Sequence, residues 1–74
     1  MKINERLRDL REERECNQQT IAEQINVTQR TYSDYETGKT TIPLERLIVL
    51  AKLYNVSVDY IIGVTNRKGR FPKR

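Results

Sequence analysis

Residues 18–38 read QQTIAEQINVTQRTYSDYETG, two short helical patterns with a tight turn between them. Asn17, immediately before, is a strong N-cap, because its side-chain oxygen accepts from a backbone N–H that the first helical turn leaves unpaired. Ile21, Ala22 and Ile25 form one apolar stripe, which predicts a helix of about two turns over 18–25. Asn26 tolerates the left-handed conformation that ends a helix. Thr28 then caps a second helix, Tyr32 and Tyr35 stand three apart on one face of it, and Gly38 stops it. Val27, Tyr32 and Tyr35 are its inward face. Gln29, Arg30, Ser33, Asp34 and Thr37 face outward, with Thr31 at the margin.

The flanking segments are helical too. Ile3, Leu7 and Leu10 recur at helical spacing among charges, predicting a first helix from Asn4 to Glu15. After the loop KTTI, Pro43 suits a first helical position, where a missing N–H costs nothing. Leu44, Leu47, Ile48, Leu50, Ala51 and Tyr54 make the most apolar helix of the chain, the expected core anchor. Ser57 caps a last short helix through Ile62, Asp59 suits its positive end, and Gly63 stops it. No strand-like alternation intervenes. The expected fold is all-α: a compact five-helix bundle containing a helix-turn-helix over residues 1–65, followed by a flexible basic tail over 66–74.

Composition narrows the function. A chain of 74 residues holds one small core. It has one cysteine, Cys16, and no histidine, so no nitrogen and sulfur cluster is available for zinc. The same absences remove the usual general base and nucleophile dyads, leaving acids such as Glu12, Glu13 and Glu15 that read as solvated helix faces. No enzyme activity, metal or cofactor is expected. The start, MKINERLRDLREE, is charged every few residues and no apolar run approaches a membrane span, so neither a signal peptide nor a membrane contact is expected and the cytoplasm is the expected location.

The net charge of +4 suggests a polyanionic partner. Its distribution qualifies that: Arg67, Lys68, Arg70, Lys73 and Arg74 hold five of the fourteen cations, so residues 1–66 set nine cations against ten acids, a net of −1. Binding to nucleic acid by the folded part must therefore use a local patch.

The stretch 18–38, with RLRDLREER before it and IPLERLIVLAKLYNVSVDYIIG after it, resembles the lambdoid phage repressor and Cro (XRE-like) family of five-helix DNA-binding domains. The resemblance covers residues 5–63. It rests on the Q..IA of the second helix, the V(T)...Y..YE.GK of the third, the Pro43 helix and the ending LAKLYNVSVDYIIG. It implies a sequence-specific transcriptional regulator, a repressor, that places the helix over 28–37 in the major groove of double-stranded DNA. In that family's terms Gln29 is a base reader suited to adenine, Arg30 beside it suits guanine or a phosphate, and Ser33 and Asp34 lie one turn further along the same face. Gln18 matches a phosphate-contacting glutamine, joined by Asn17. Thr28, Thr31 and the loop Lys39, Thr40 and Thr41 contact the DNA backbone. Arg11 and Glu36 match a charged pair tying helix 1 to the end of helix 3. Relatives with this fold often pair as homodimers at the C-terminal end, so Tyr54, Val58, Tyr60 and Ile62 either complete the core or form such an interface on a near-palindromic operator.

Three positions and one loop depart from the family pattern. Glu15 stands at a helix-ending glycine, which predicts a first turn built differently, and Asn26 stands at the turn glycine; Cys16 replaces a leucine. The loop after the third helix carries one cation, Lys39, where the family has a surplus, which implies a weaker grip on the DNA backbone. Plainer readings stand beside the functional ones. Tyr32 and Tyr35 either pack the core or stack on bases, and Cys16 is either a small buried hydrophobe or a redox sensor. Asp34 is either a solvated side chain or a specificity determinant, and the tail is either disordered or a basic arm. The same fold also serves as an antitoxin or adaptor that binds chiefly a protein partner.

Overall fold

Each helix of this chain ends on a residue in the left-handed conformation. In the computed structural model, which describes residues 3–71, α1 spans Ile3–Glu13, α2 Gln18–Gln24, α3 Gln29–Thr37, α4 Leu44–Tyr54 and α5 Val58–Ile61. The left-handed residues that follow them are Glu15, Asn26, Gly38, Asn55 and Gly63. The hydrogen bonds repeat with them. Cys16, Val27, Lys39, Val56 and Val64 each donate a backbone N–H to the carbonyl five residues back, while the left-handed residue itself donates to the one three back. This is the Schellman arrangement, which satisfies carbonyls the last turn leaves unpaired.

Three helices start on side-chain caps. Asn17 Oδ1 accepts from the Thr20 N–H at 2.8 Å, Thr28 Oγ1 from Thr31 at 3.1 Å and Ser57 Oγ from Tyr60 at 3.1 Å. Pro43 corrects one expectation: it precedes α4 as its cap residue, at φ −61° and ψ 148°, instead of occupying the first helical position. Helix 1 corrects another. It stops at Glu13, two residues short of Glu15, because Glu15 takes the left-handed conformation at φ 55° that glycine would have supplied. The turn therefore has the same Schellman form as the other four, with a residue less suited to it than glycine.

Leu7, Ile21, Ala22, Ile25, Tyr32, Leu50, Ala51 and Ile61 are closed to water at the centre of the molecule. α3 packs on α1 and α2, and α5 packs on α4 and α1. Truncating a core leucine such as Leu7 or Leu50 to alanine costs about 2–5 kcal/mol in packed interiors. α4 is less of an anchor than its composition suggests, since Leu44 is 65% exposed and Ile48 also meets solvent.

Contacts cross the boundary expected at residues 65 and 66. Arg6 is buried, donates from Nη1 to the carbonyls of Tyr60 and Thr65 and from Nη2 to Asn66 Oδ1, and lies over the Tyr60 ring at 4.1 Å. Further on, the Ser57 N–H donates to the Lys68 carbonyl at 2.9 Å and Lys68 Nζ reaches Glu13 at 2.7 Å. Phe71 packs against the core, with Lys52 over its ring. The segment to Phe71 thus makes hydrogen-bond and packing contacts with the helices. Lys73 and Arg74 lie outside the described residues. No helix among those described is long and apolar enough to cross a membrane.

Candidate nucleic-acid interface

α3 presents its outer face from a frame that is fixed on three sides. Its inner face is Tyr32 and Tyr35, both buried, their rings edge to face at 6.4 Å between centroids. The Tyr32 hydroxyl meets that of Tyr54 at 3.4 Å inside the core. Burial first, and then the contact between them, pushes the Tyr32 hydroxyl far above its ordinary range, and burial raises that of Tyr54, so both stay protonated. Neither Tyr32 nor Tyr35 has surface on which a base can stack.

At its C-terminal end α3 is held by Glu36. Its carboxylate takes two hydrogen bonds from Arg11, from Nε at 2.6 Å and Nη2 at 3.1 Å, and a third from Gln18 Nε2 at 3.1 Å. Arg11 Nη1 adds a bond to the Cys16 carbonyl at 2.9 Å. A side-on Arg–carboxylate pair of this kind fixes direction as well as distance. One cluster thus joins the end of α1, the first turn, the start of α2 and the end of α3. Burial alone would raise the Glu36 pKa, but the hydrogen bond from Arg11, with contributions from Tyr32 and Gln18, outweighs it and holds the carboxyl below its usual range. Its hydrogen bond to Glu36 correspondingly raises Arg11.

The outward residues are placed by this frame. Gln29 and Arg30, in the first turn behind the Thr28 cap, are exposed, whereas Ser33, Asp34 and Thr31 are partly buried. The Arg30 Nε lies 3.8 Å from Asp34 Oδ1, one turn along the helix. The Thr28 hydroxyl also bonds the Thr31 hydroxyl at 2.9 Å. Lys39, Thr40 and Thr41 follow α3 as an exposed loop, anchored because the N–H groups of Lys39 and Thr40 both donate to the Asp34 carbonyl. Just before α2, Asn17 uses its side-chain oxygen for the cap, so a contact to an outside anion must come from its amide nitrogen. Gln18 is partly buried, its amide nitrogen already bonded to Glu36.

Over this same helix pair the sequence profile of the helix-turn-helix family matches residues 7–61. The chain belongs to the helix-turn-helix family. It is similar to YobD of Bacillus subtilis, an uncharacterized HTH-type transcriptional regulator, at 42% identity over 62 residues, covering 84% of this chain and 55% of YobD. It is also similar to RstR, the cryptic phage CTXphi transcriptional repressor of Vibrio cholerae, at 39% over 61 residues, covering 82% of this chain and 55% of RstR. The chain thus spans about half the length of these two regulators. Among solved structures, the P22 c2 repressor protein in complex with a synthetic operator superposes with a TM-score of 0.79 at 26% identity, covering 84% of this chain and 94% of the repressor chain.

Within the helix-turn-helix frame the four residues named at the C-terminal end have different settings. Tyr54 is 4% exposed and faces the core, so it has no surface to offer a second copy. Val58 and Tyr60 are partly buried and Ile62 is 41% exposed. Leu44, Ile48 and Val64 meet solvent together with Ile62; helical periodicity puts Leu44 and Ile48 in an apolar stripe without saying what covers it. Arg6 is missing from the sequence reading for a related reason: nothing in a charged first helix tells a buried arginine from its exposed neighbours.

Proposed function

We propose that this chain is a sequence-specific DNA-binding transcriptional regulator, acting as a repressor in the cytoplasm and working by binding, with no catalysis and no cofactor. The observation that carries this reading is the exposed tip of α3, Gln29 and Arg30, on a helix whose other faces are locked by Tyr32, Tyr35 and the Arg11–Glu36 pair. A major groove about 12 Å wide admits one such helix. Gln29 and Arg30 read base edges, with Ser33 and Asp34 behind them. Asn17, Gln18, Thr28, Thr31, Lys39, Thr40 and Thr41 hold the DNA backbone, where hydrogen bonds set register and not sequence. RstR and the P22 c2 protein, both named as repressors, support the same reading.

The test is selection from a random DNA pool by the full chain and by Gln29→Ala/Arg30→Ala. The double substitution is expected to remove the enriched sequence, at about 1–3 kcal/mol per lost base contact, with the helical spectrum unchanged. Enrichment of the same sequence by both proteins would sink the assignment of the reading face.

The active species is a homodimer on a near-palindromic site, joined through Val58, Tyr60 and Ile62 at the C-terminal end. Exposed Ile62 supports this, being an aliphatic side chain left in water beside α5. Ile62→Asp is expected to abolish cooperative filling of the two half-sites while leaving binding to one half-site intact. Cooperative filling that survives the aspartate rules out this interface.

A further inference from the structure

Arg30 and Asp34 stand one turn apart on the outer face of α3, with Arg30 Nε 3.8 Å from Asp34 Oδ1. Their settings differ. The Arg30 side chain is 78% exposed and that of Asp34 only 23%. The Asp34 backbone is fixed as well: its carbonyl accepts from the N–H groups of Lys39 and Thr40 and from the Thr37 hydroxyl. A long cation that is free at its tip thus lies beside a short acid that is held at its base.

This arrangement bears on how the pair meets DNA. A bare carboxylate on a face that enters a groove is repelled by phosphates on both sides, and the cost falls if a guanidinium stays beside it. Arginine carries five N–H donors in a planar fork. If Nε serves the carboxylate, the terminal Nη groups remain as a second pair of donors, and two parallel donors match O6 and N7 of guanine. An exposed arginine otherwise samples many rotamers, and ordering it on binding opposes affinity.

Resting on the reading of α3 as the groove helix, we infer that Asp34 is a positioning residue that reads no base itself: it holds Arg30 by the Nε edge and aims the Nη edge at one guanine in each half-site. Asp34 then sets specificity for a G·C pair it does not touch. Direct acceptance from a cytosine amino group is the competing role, and it would draw the carboxylate away from Arg30.

The two roles separate in a panel of duplexes in which each base pair of the selected site is substituted in turn, with one unrelated duplex for non-specific binding. Arg30→Ala is expected to flatten preference at one G·C pair by about tenfold. Asp34→Ala is expected to flatten the same pair, and Arg30→Ala/Asp34→Ala to be no flatter than either alone. Asp34→Asn, which keeps an acceptor oxygen, is expected to retain part of the preference. Binding to the unrelated duplex should rise in both Asp34 variants, because an acid has left the surface. A merely structural residue would instead weaken all duplexes alike, and that outcome overturns the inference. So does loss of preference at a different base pair, or an unchanged panel for Asp34→Ala alongside a responsive Arg30→Ala. If neither Arg30→Ala nor Gln29→Ala alters any position, α3 is not the reading helix and both readings fall together.

Discussion

A carboxylate almost closed off from water has to be compensated, and Glu36 is compensated by two donors of Arg11 and one of Gln18. Removing one side leaves the other charge in a poor solvent, which costs far more than losing an exposed pair. Glu36→Ala is therefore expected to lower stability by about 3 kcal/mol, seen as a lower urea midpoint. The pH dependence follows from the direction of its pKa. Glu36 titrates below its ordinary 4.5 in the folded state, so its contribution is complete above that value and is lost as pH falls through the lower, folded one. Between about pH 6 and about pH 3 the midpoint of Glu36→Gln should fall less steeply than that of the unsubstituted protein. Parallel curves would mean that Glu36 has no such linkage. Glu36 also ties the end of α3 to α1 and α2, so on the proposed function Glu36→Ala should weaken all DNA contacts together.

The helix ends carry a second test. Glu15 occupies a left-handed position without glycine's freedom, and an ordinary residue there carries a penalty of about 1–2 kcal/mol. Part of that is returned by the more flexible unfolded chain that glycine brings. Glu15→Gly is expected to raise the urea midpoint by an amount equivalent to about 0.5–1 kcal/mol. No gain, or a loss, would show that the first turn needs the glutamate. The caps at Asn17, Thr28 and Ser57 and the stops at Asn26, Gly38 and Gly63 were readable in the sequence because a cap is a bond between near neighbours along the chain. Glu15 was not, because glutamate seldom takes this conformation. Its turn is held by the Cys16 N–H bond to the Arg11 carbonyl, the Arg11 side-chain bond to the Cys16 carbonyl and the packing of Cys16 on the core. The site divides in the same way. The exposure of Gln29 and Arg30 follows from the helical repeat, whereas Tyr54 turns inward to meet Tyr32, a residue 22 positions away.

For the molecule as a whole, the charge division into a domain of −1 and a tail of five cations does not coincide with a division of structure. The strand of chain after α5 is clasped by Arg6, bonded to Ser57 through the Lys68 carbonyl and closed by Phe71 on the core. Deleting everything after Asn66 therefore changes two things at once, electrostatics and packing. It removes the Ser57–Lys68 backbone hydrogen bond, the Phe71 N–H bond to Asn55, the exposed Lys68–Glu13 ion pair and a half-buried aromatic ring, together worth about 2–3 kcal/mol. Substituting Arg67→Gln and Arg70→Gln changes only one, since both side chains are exposed and the segment keeps its backbone contacts and Phe71. The truncated chain is expected to unfold at lower urea, and the doubly neutralised chain at the same urea as the unsubstituted protein. On DNA the neutralised chain should lose affinity equally for operator and unrelated duplexes, its salt slope falling by about 0.9 for each of the two charges that had met a phosphate. If neutralisation destabilises the fold as much as truncation does, charge and not Phe71 holds the segment down. If it leaves the salt slope untouched, the basic segment stands away from the DNA, and the local patch on α3 and its loop must supply the attraction alone.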